Sequence, residues 1–173
     1  AEFLINHALV MREAGRPDAA LAAARQATGM ANLSARAHAV LGVTLMDLAN
    51  WQEALAALER STALAPQDAQ PWHNRAVAAL RLGNLPAALR AAEQAVALDS
   101  GNAEYRSNRA LALLEAGRLQ KALADLDQAL ALAPGSPAIR AYKGIVLLLA
   151  GRLSEGWPLY EHRPSAIAAR THA

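Results

Sequence analysis

The feature that most constrains this chain is a period of 34 residues. When the sequence is shifted against itself by that distance, "GRLQKAL" (117–123) aligns with "GRPDAAL" (15–21), "ANWQEAL" (49–55), "GNLPAAL" (83–89) and "GRLSEGW" (151–157). Five copies account for 170 of the 173 residues without an insertion. A period of this length predicts a solenoid, in which each repeat buries its apolar face by stacking on its neighbours.

The register divides one predicted domain, residues 1–173, into repeats 1–34, 35–68, 69–102, 103–136 and 137–170, the last of them atypical. We number positions from 1 to 34 within each repeat. Position 15 predicts a turn and holds Gly15, Ala49, Gly83, Gly117 and Gly151. Positions 8 and 20 hold only Ala or Gly, which favours close contact between a helix A before the turn and a helix B after it. We therefore predict ten antiparallel helices with breaks near position 15.

The residues at fixed positions resemble the tetratricopeptide repeat (TPR) pattern. They are Leu41, Gly42, Leu45, Ala54, Leu58, Ser61 and Pro66 in repeat 2; Trp72, Ala76, Gly83, Ala88, Ala95 and Leu98 in repeat 3; and Ala110, Leu113, Gly117, Ala122, Leu126, Ala129 and Pro134 in repeat 4. The resemblance implies an all-α TPR solenoid of five helix-turn-helix repeats in a right-handed superhelix. It also implies a non-catalytic scaffold that binds proteins or peptide segments in a concave channel.

Composition argues against an enzyme. The chain has no Cys, which excludes thiol catalysis and cysteine-ligated metals, and its five His are never paired at metal-binding spacing. No His-Glu-x-x-His, Gly-x-Ser-x-Gly or phosphate-loop motif occurs. Ser107 and His73 lie one repeat apart, but no acid is placed to orient the His. We predict no catalytic residue, no metal and no cofactor.

The distribution of charge and the length of the apolar runs limit the kinds of partner that we expect for this chain. The 17 Lys and Arg are interspersed with 15 Asp and Glu, a pattern unlike the concentrated basic stripe of nucleic-acid-binding proteins. The longest uncharged apolar run, "GIVLLLAG" (144–151), is far shorter than the roughly 20 residues that cross a bilayer. We expect no nucleic-acid partner, no membrane span and a cytoplasmic location. The chain lacks an initial Met and a secretory signal, so we also expect a fragment of a longer protein.

A helical wheel assigns the faces of helix A. Positions 4, 8 and 11 are predicted to pack on helix B, and positions 3, 10 and 14 on the neighbouring repeat, with position 7 at the edge of that seam. Positions 2, 5, 6, 9, 12 and 13 are predicted to face the concave channel.

Position 6 supplies the main binding hypothesis, because it holds Asn6, Val40, Asn74, Asn108 and Tyr142. An Asn side chain both donates and accepts, so a row of them can bind a peptide backbone regardless of its sequence. The row resembles the asparagine ladder in the TPR region of O-linked N-acetylglucosamine transferases. The alternative is that Asn is common at this position and only solvated. The predicted binding residues are Asn6, Arg36, His73, Asn74, Ser107, Asn108 and Tyr142.

Two other series leave alternatives open. Positions 9 and 12 are almost wholly aliphatic and form either an exposed apolar stripe or, as we favour, a seam that adjacent A helices bury. Position 7 holds Arg75, Arg109 and Lys143, which either hold an acidic ligand or, as we favour, pair with carboxylates, for example Arg109 with Glu104 or Glu115. Position 5 lacks Lys, which argues against the carboxylate clamp of chaperone-binding TPR domains.

The last repeat departs from the others in "GRLSEGWPLYEHRPS" (151–165). We predict that Ser154 caps its helix B, that Pro158 lies in the first turn and that Pro164 ends the helix. The string resembles the Glu-Gly-Trp-x-x-Tyr-Glu-x-Arg signature that closes the array in many bacterial TPR proteins, several of which continue into a glycosyltransferase-like domain. The alternative function is therefore the substrate-recruiting arm of such an enzyme.

The two ends of the array differ from its interior. A terminal repeat lacks one neighbour, so its outward flank stays open unless it is polar. Phe3 and Val10 make the N-terminal flank apolar, whereas Trp157 and Tyr160 are predicted to cover part of the other end. We expect a homo-oligomer that forms through the open flank or by insertion of a second molecule into the channel.

Overall fold

The computed structural model describes residues 1–161, and its secondary structure is entirely helical over that range. The predicted helix end at Pro164 and the tail beyond it lie outside the described residues. The helices are α1 (Glu2–Glu13), α2 (Pro17–Met30), α3 (Ala35–Asp47), α4 (Trp51–Leu64), α5 (Ala69–Arg81), α6 (Leu85–Leu98), α7 (Ala103–Glu115), α8 (Leu119–Leu132), α9 (Pro137–Leu149) and α10 (Leu153–Glu161). The predicted all-α class and the ten helices are confirmed.

The chain forms two compact units. The N-terminal unit, Ala1–Leu98, contains α1 to α6, and the C-terminal unit begins at Asp99 and contains α7 to α10. Within each unit, odd-numbered A helices pair with the following even-numbered B helices as hairpins. The predicted single domain over residues 1–173 stays a prediction.

Each hairpin turns at position 15 through a residue in the left-handed region. Four of these residues are glycines, and the fifth is Ala49 with φ 57°. The Ala49 amide donates to the Met46 carbonyl at 3.0 Å, as the Gly15 amide does to Arg12 at 3.0 Å. The left-handed residue reverses the chain, so the predicted breaks near position 15 are confirmed.

Helix A starts at a recurring cap at position 34 of the preceding repeat. The Asn102 side chain accepts from the Glu104 and Tyr105 amides at 3.0 and 3.2 Å, and three equivalent residues cap in the same way. These caps are Ser34, Asp68, Asn102 and Ser136. Each satisfies amides that have no partner within the helix.

Position 4 joins successive repeats by a hydrogen bond that the sequence analysis did not predict. A side-chain N–H at position 4 donates to the main-chain carbonyl six residues earlier, in the loop that precedes helix A. The four bonds are His38 to Asn32 (3.0 Å), Trp72 to Pro66 (2.9 Å), Arg106 to Ser100 (2.9 Å) and Arg140 to Pro134 (3.1 Å). Because a carbonyl oxygen only accepts, His38 must carry its proton on Nε2 for this bond.

Small residues let the two helices of a hairpin approach closely. Positions 8 and 20 are buried in every repeat. In the last repeat both are glycine, and a Cβ on Gly144 would lie 2.8 Å from the Tyr160 amide nitrogen and 3.0 Å from the Gly156 carbonyl oxygen. The α9 and α10 backbones are therefore in direct contact.

The predicted start of α10 is wrong. The helix begins at Leu153, in register with the other B helices, and the Gly156 amide donates to the Arg152 carbonyl at 2.9 Å. Ser154 is thus the second helical residue, and Pro158 lies inside the helix. Proline usually prefers the first turn of a helix, but the turn at Gly151 fixes where α10 begins and leaves Pro158 beyond that first turn. As a result, Pro158 supplies no amide hydrogen to the Ser154 carbonyl.

Candidate functional site

The A helices line the inner side of the N-terminal unit. Helix α3 contacts both α1 and α5, whereas no comparably extensive contact joins the B helices of this unit among the described residues. The A-helix face, which we define as positions 2, 6 and 9 of α1, α3 and α5, is the candidate ligand surface.

Arg36 organises one edge of this face. Its guanidinium donates to the Asn6 Oδ1 at 2.8 Å and forms an ion pair with Glu2. All three side chains are exposed. Two of the predicted binding residues, Asn6 and Arg36, are therefore brought together, and the bond from Arg36 orients the Asn6 carboxamide with its NH₂ group as the remaining donor.

Asn74 occupies the equivalent place on α5 and is half-buried. Gln70 Nε2 lies 3.4 Å from Asn74 Oδ1, a long hydrogen bond between positions 2 and 6 of one helix. The intervening position-6 residue, Val40, is buried and apolar. In this unit the asparagines therefore lie on either side of an apolar gap.

The assignment of position 5 to an open channel surface needs correction. His73 and Ser107 are each only 5% exposed, and Ile5 and Ala141 are fully buried. Position 5 lies one residue before position 6 on the wheel and turns toward the neighbouring helices, which cover it. Of the predicted binding residues, His73 and Ser107 offer a ligand the least surface.

The aliphatic residues at position 9 are partly covered. Leu9 packs against the buried cluster that contains Ile5 and Ala8, yet it is half-buried rather than buried, as are Val43 and Val77. At position 12, Met46 and Leu80 likewise pack against a core cluster while keeping some exposure. The aliphatic residues at positions 9 and 12 therefore contribute to the core, as in the buried seam that we favour. They also present apolar surface, as in the exposed stripe that was the alternative.

A shallow cavity of about 430 Å³ lies by the first turn of the N-terminal unit. Arg12 and Asp47, at positions 12 and 13, form a two-point ion pair across it, with N–O distances of 2.6 and 3.3 Å. Glu13, Gly15 and Pro17 complete the lining.

In the C-terminal unit, Asn108 and Tyr142 are the position-6 residues, and both are half-buried. Beside them on α7, Arg109 donates through two nitrogens to the buried Asp125 carboxylate of α8, at 2.7 and 2.5 Å. Arg106 approaches the same carboxylate at 4.0 Å. Asp125 was not predicted, although it is the single acid among the small and apolar residues of "ALADL" (122–126), which was a usable signal.

The favoured interpretation of position 7 is supported, since each of its three cations has a carboxylate partner. Arg75 pairs with Glu59 at 3.1 Å, and Lys143 pairs with Asp127 at 2.7 Å. In both pairs the acid lies at position 25 of the preceding helix B. Arg75 and Lys143 therefore join successive repeats, whereas Arg109 joins the two helices of its own repeat, and all three cations are already paired with a carboxylate.

Electrostatics near the start of α10 are dominated by one ion pair. Arg152 donates to the Glu155 carboxylate at 2.8 and 2.6 Å. This hydrogen bond lowers the pKa of Glu155 and raises that of Arg152. In the part of the chain that the structure describes, no group of three or more acidic or His side chains could hold a metal ion. None of the described helices has both the length and the apolar character needed to span a bilayer.

The recurring hairpins, caps and left-handed turns define a helical-repeat protein whose A helices form its candidate binding surface. The Tetratricopeptide repeat family profile matches residues 5–69 and 73–137. The chain belongs to the tetratricopeptide repeat family.

Solved structures of TPR proteins share the fold. The crystal structure of MamA superposes with a TM-score of 0.81 at 19% identity, covering 93% of this chain and 88% of MamA. The TPR protein TTC0263 from Thermus thermophilus gives 0.76 at 25% identity, covering 99% and 95%. YrrB, described as a TPR protein with an unusual peptide-binding site, gives 0.76 at 18% identity, covering 92% and 82%. No curated protein sequence matches this chain significantly.

Proposed function

We propose that this chain is a non-catalytic interaction module that binds an extended peptide segment along its A helices. The observation that carries the proposal is the composition of the A-helix face in the N-terminal unit. This face carries the exposed Arg36–Asn6–Glu2 group together with half-buried Leu9 and Val43 at position 9.

This combination suits a peptide better than a small molecule. Carboxamide groups at Asn6 and Asn74 can bond to main-chain amides and carbonyls, which every peptide offers. The aliphatic side chains at position 9 supply apolar surface for alternate side chains of an extended segment. YrrB shares the fold and is described as having a peptide-binding site, which also supports a peptide as the ligand.

The experiment is a selection of random peptides on the immobilised chain, followed by fluorescence anisotropy with the enriched peptide. Replacing Asn6 and Asn74 together by Ala should weaken binding by roughly 1–3 kcal/mol, through the loss of hydrogen bonds to the peptide backbone. Arg36→Ala should also weaken it, because Asn6 loses the bond that orients it.

A matched control removes two carboxamides from the B helices. Gln52 on α4 and Gln120 on α8 are exposed, and the double Ala variant should bind the peptide as the unchanged chain does. If no peptide is enriched over a blank surface, the proposal is wrong. Equal affinity of the Asn6/Asn74 variant and the Gln52/Gln120 variant would show that the asparagines do not bind the peptide.

A second hypothesis keeps the same binding face but makes it the substrate-recruiting arm of a larger glycosyltransferase-like enzyme. Its support is the string "EGWPLYEHR" (155–163), which resembles the closing signature of such arrays. The length of the native gene tests it, since an open reading frame that ends near residue 173 would rule it out.

A further inference from the structure

The first helix exposes positions that are buried in the later repeats. Phe3 and Val10, at positions 3 and 10, are 78% and 56% exposed, and the Phe3 ring stacks on His7 with centroids 6.0 Å apart. The equivalent residues of α3, Ala37 and Thr44, are fully buried. We call Phe3, His7 and Val10 the leading face.

The last described helix is open on its opposite flank. Leu153 and Trp157, at positions 17 and 21, are 65% and 54% exposed, whereas position 21 is only 8% exposed at Leu55. Glu161, at position 25, is exposed as well. We call Leu153, Trp157 and Glu161 the trailing face.

Junctions inside the chain show how two such faces fit together. Between α4 and α5, Leu55 at position 21 shares a buried cluster with Ala78 at position 10 of the next repeat. An acid at position 25 also pairs with a cation at position 7 of the next repeat, as Glu59 does with Arg75 at 3.1 Å. The junction between α8 and α9 repeats this ion pair.

The same register can be applied to the two open faces. Trp157 at position 21 then meets Val10 at position 10, and Glu161 at position 25 meets His7 at position 7. The apolar residues match, and an imidazole N–H can donate to a carboxylate whether the ring is neutral or charged. The two faces are therefore complementary in hydropathy and in hydrogen bonding.

We propose that the leading face of one copy binds the trailing face of a second copy, head to tail, and continues the repeat register from one molecule into the next. Each copy carries one face of each kind, so the contact is heterologous and every dimer keeps one free face at each end. This interaction is separate from peptide binding, because its residues lie outside the A-helix face.

Complementation tests the proposal on the full 173-residue chain. Sedimentation velocity from about 1 to about 100 μM should show a mass that rises with concentration, a range in which weak protein contacts form. Val10→Glu destroys only the leading face and Trp157→Glu only the trailing face, so each variant alone should be a monomer. Their equimolar mixture should form a dimer that does not grow further.

A charge exchange tests the register itself. His7→Glu should weaken association at least about tenfold, because it places two carboxylates at the contact. Adding Glu161→Lys to that chain should restore association to within about threefold of the original, since the two side chains are then opposite in charge.

Leu132→Glu is the control, because Leu132 is an exposed apolar residue outside both faces, and this variant should associate unchanged. Circular dichroism checks that every variant keeps its helices. A monomer at all concentrations would overturn the proposal. So would a Trp157→Glu chain that associates as well as the original, since that result indicates contact between two leading faces.

Discussion

At the scale of single residues, Ala49 stands out because its backbone is left-handed. The four equivalent turn residues are glycines with φ between 67° and 75°, and Ala49 adopts φ 57°. A Cβ in this region costs about 1–2 kcal/mol, whereas glycine costs about 0.5–1 kcal/mol of extra chain entropy on folding. The backbone strain at Ala49 should therefore cost more free energy than the extra chain entropy that a glycine at this position would lose on folding.

We predict that Ala49→Gly raises the free energy of unfolding by up to about 1 kcal/mol. Chemical denaturation followed by circular dichroism measures it. Ala116→Gly is the matched control, because Ala116 directly follows helix A of repeat 4 with φ −80° and gains nothing from glycine. It should lose about 0.5–1 kcal/mol. Loss of stability in both variants would show that Ala49 is not strained.

At the scale of elements, the α9–α10 hairpin depends on two glycines that face each other. A Cβ on Gly144 would collide with backbone atoms of α10, which cannot move without moving the helix. At Gly42 the nearest atom is Cγ of Leu58 at 2.6 Å, so an added Cβ would require this buried side chain to repack but would not meet the α4 backbone. The same chemical change should therefore have different costs at the two positions.

We predict that Gly144→Ala lowers the free energy of unfolding by about 1–3 kcal/mol, the usual cost of overpacking, and that Gly42→Ala costs less. Gly29→Ala is the control. Gly29 lies in α2 with nothing within 4 Å of an added Cβ, so helix propensity should make that variant more stable by about 0.5–1 kcal/mol. A Gly144→Ala protein as stable as Gly29→Ala would contradict direct backbone contact.

At the scale of the whole molecule, a substitution should change stability mainly in its own repeat and in the adjacent ones, because each repeat of a solenoid contacts only its neighbours. The Arg109–Asp125 pair, in which the carboxylate is buried and the guanidinium is half-buried, is the sharpest place to test this. Its loss should cost more than the loss of the exposed Arg25–Glu53 pair, which should contribute less than about 1 kcal/mol.

We predict that Asp125→Asn speeds amide hydrogen exchange mainly in α7 and α8, and only weakly in α1 and α2. The neutral amide can no longer balance the Arg109 charge. Mass spectrometry of exchange in peptic fragments resolves the two regions. Glu53→Gln, the exposed counterpart, should leave exchange near its original rate throughout. A uniform increase across all fragments of Asp125→Asn would mean that the chain opens as one cooperative unit.

The sequence by itself determined the repeat length, the ten helices, the turns at position 15 and the small residues at positions 8 and 20. These features follow from local conformation and from a period that every repeat shares. The N–H donors at position 4 were also visible in the sequence, but their carbonyl partners were not, because the path of the preceding loop is not encoded in side-chain type.

Only the tertiary structure decided which of those equivalent positions are covered. Position 5 is buried at His73 and Ser107, Arg109 has Asp125 as a carboxylate partner, and Pro158 lies inside a helix that its neighbours keep in register. The asparagine row and the self-association remain predictions. Phe3 occupies the same position as Ala37, yet one is exposed and the other is buried, because in a repeat protein the neighbouring repeat supplies the burial and the residue alone cannot.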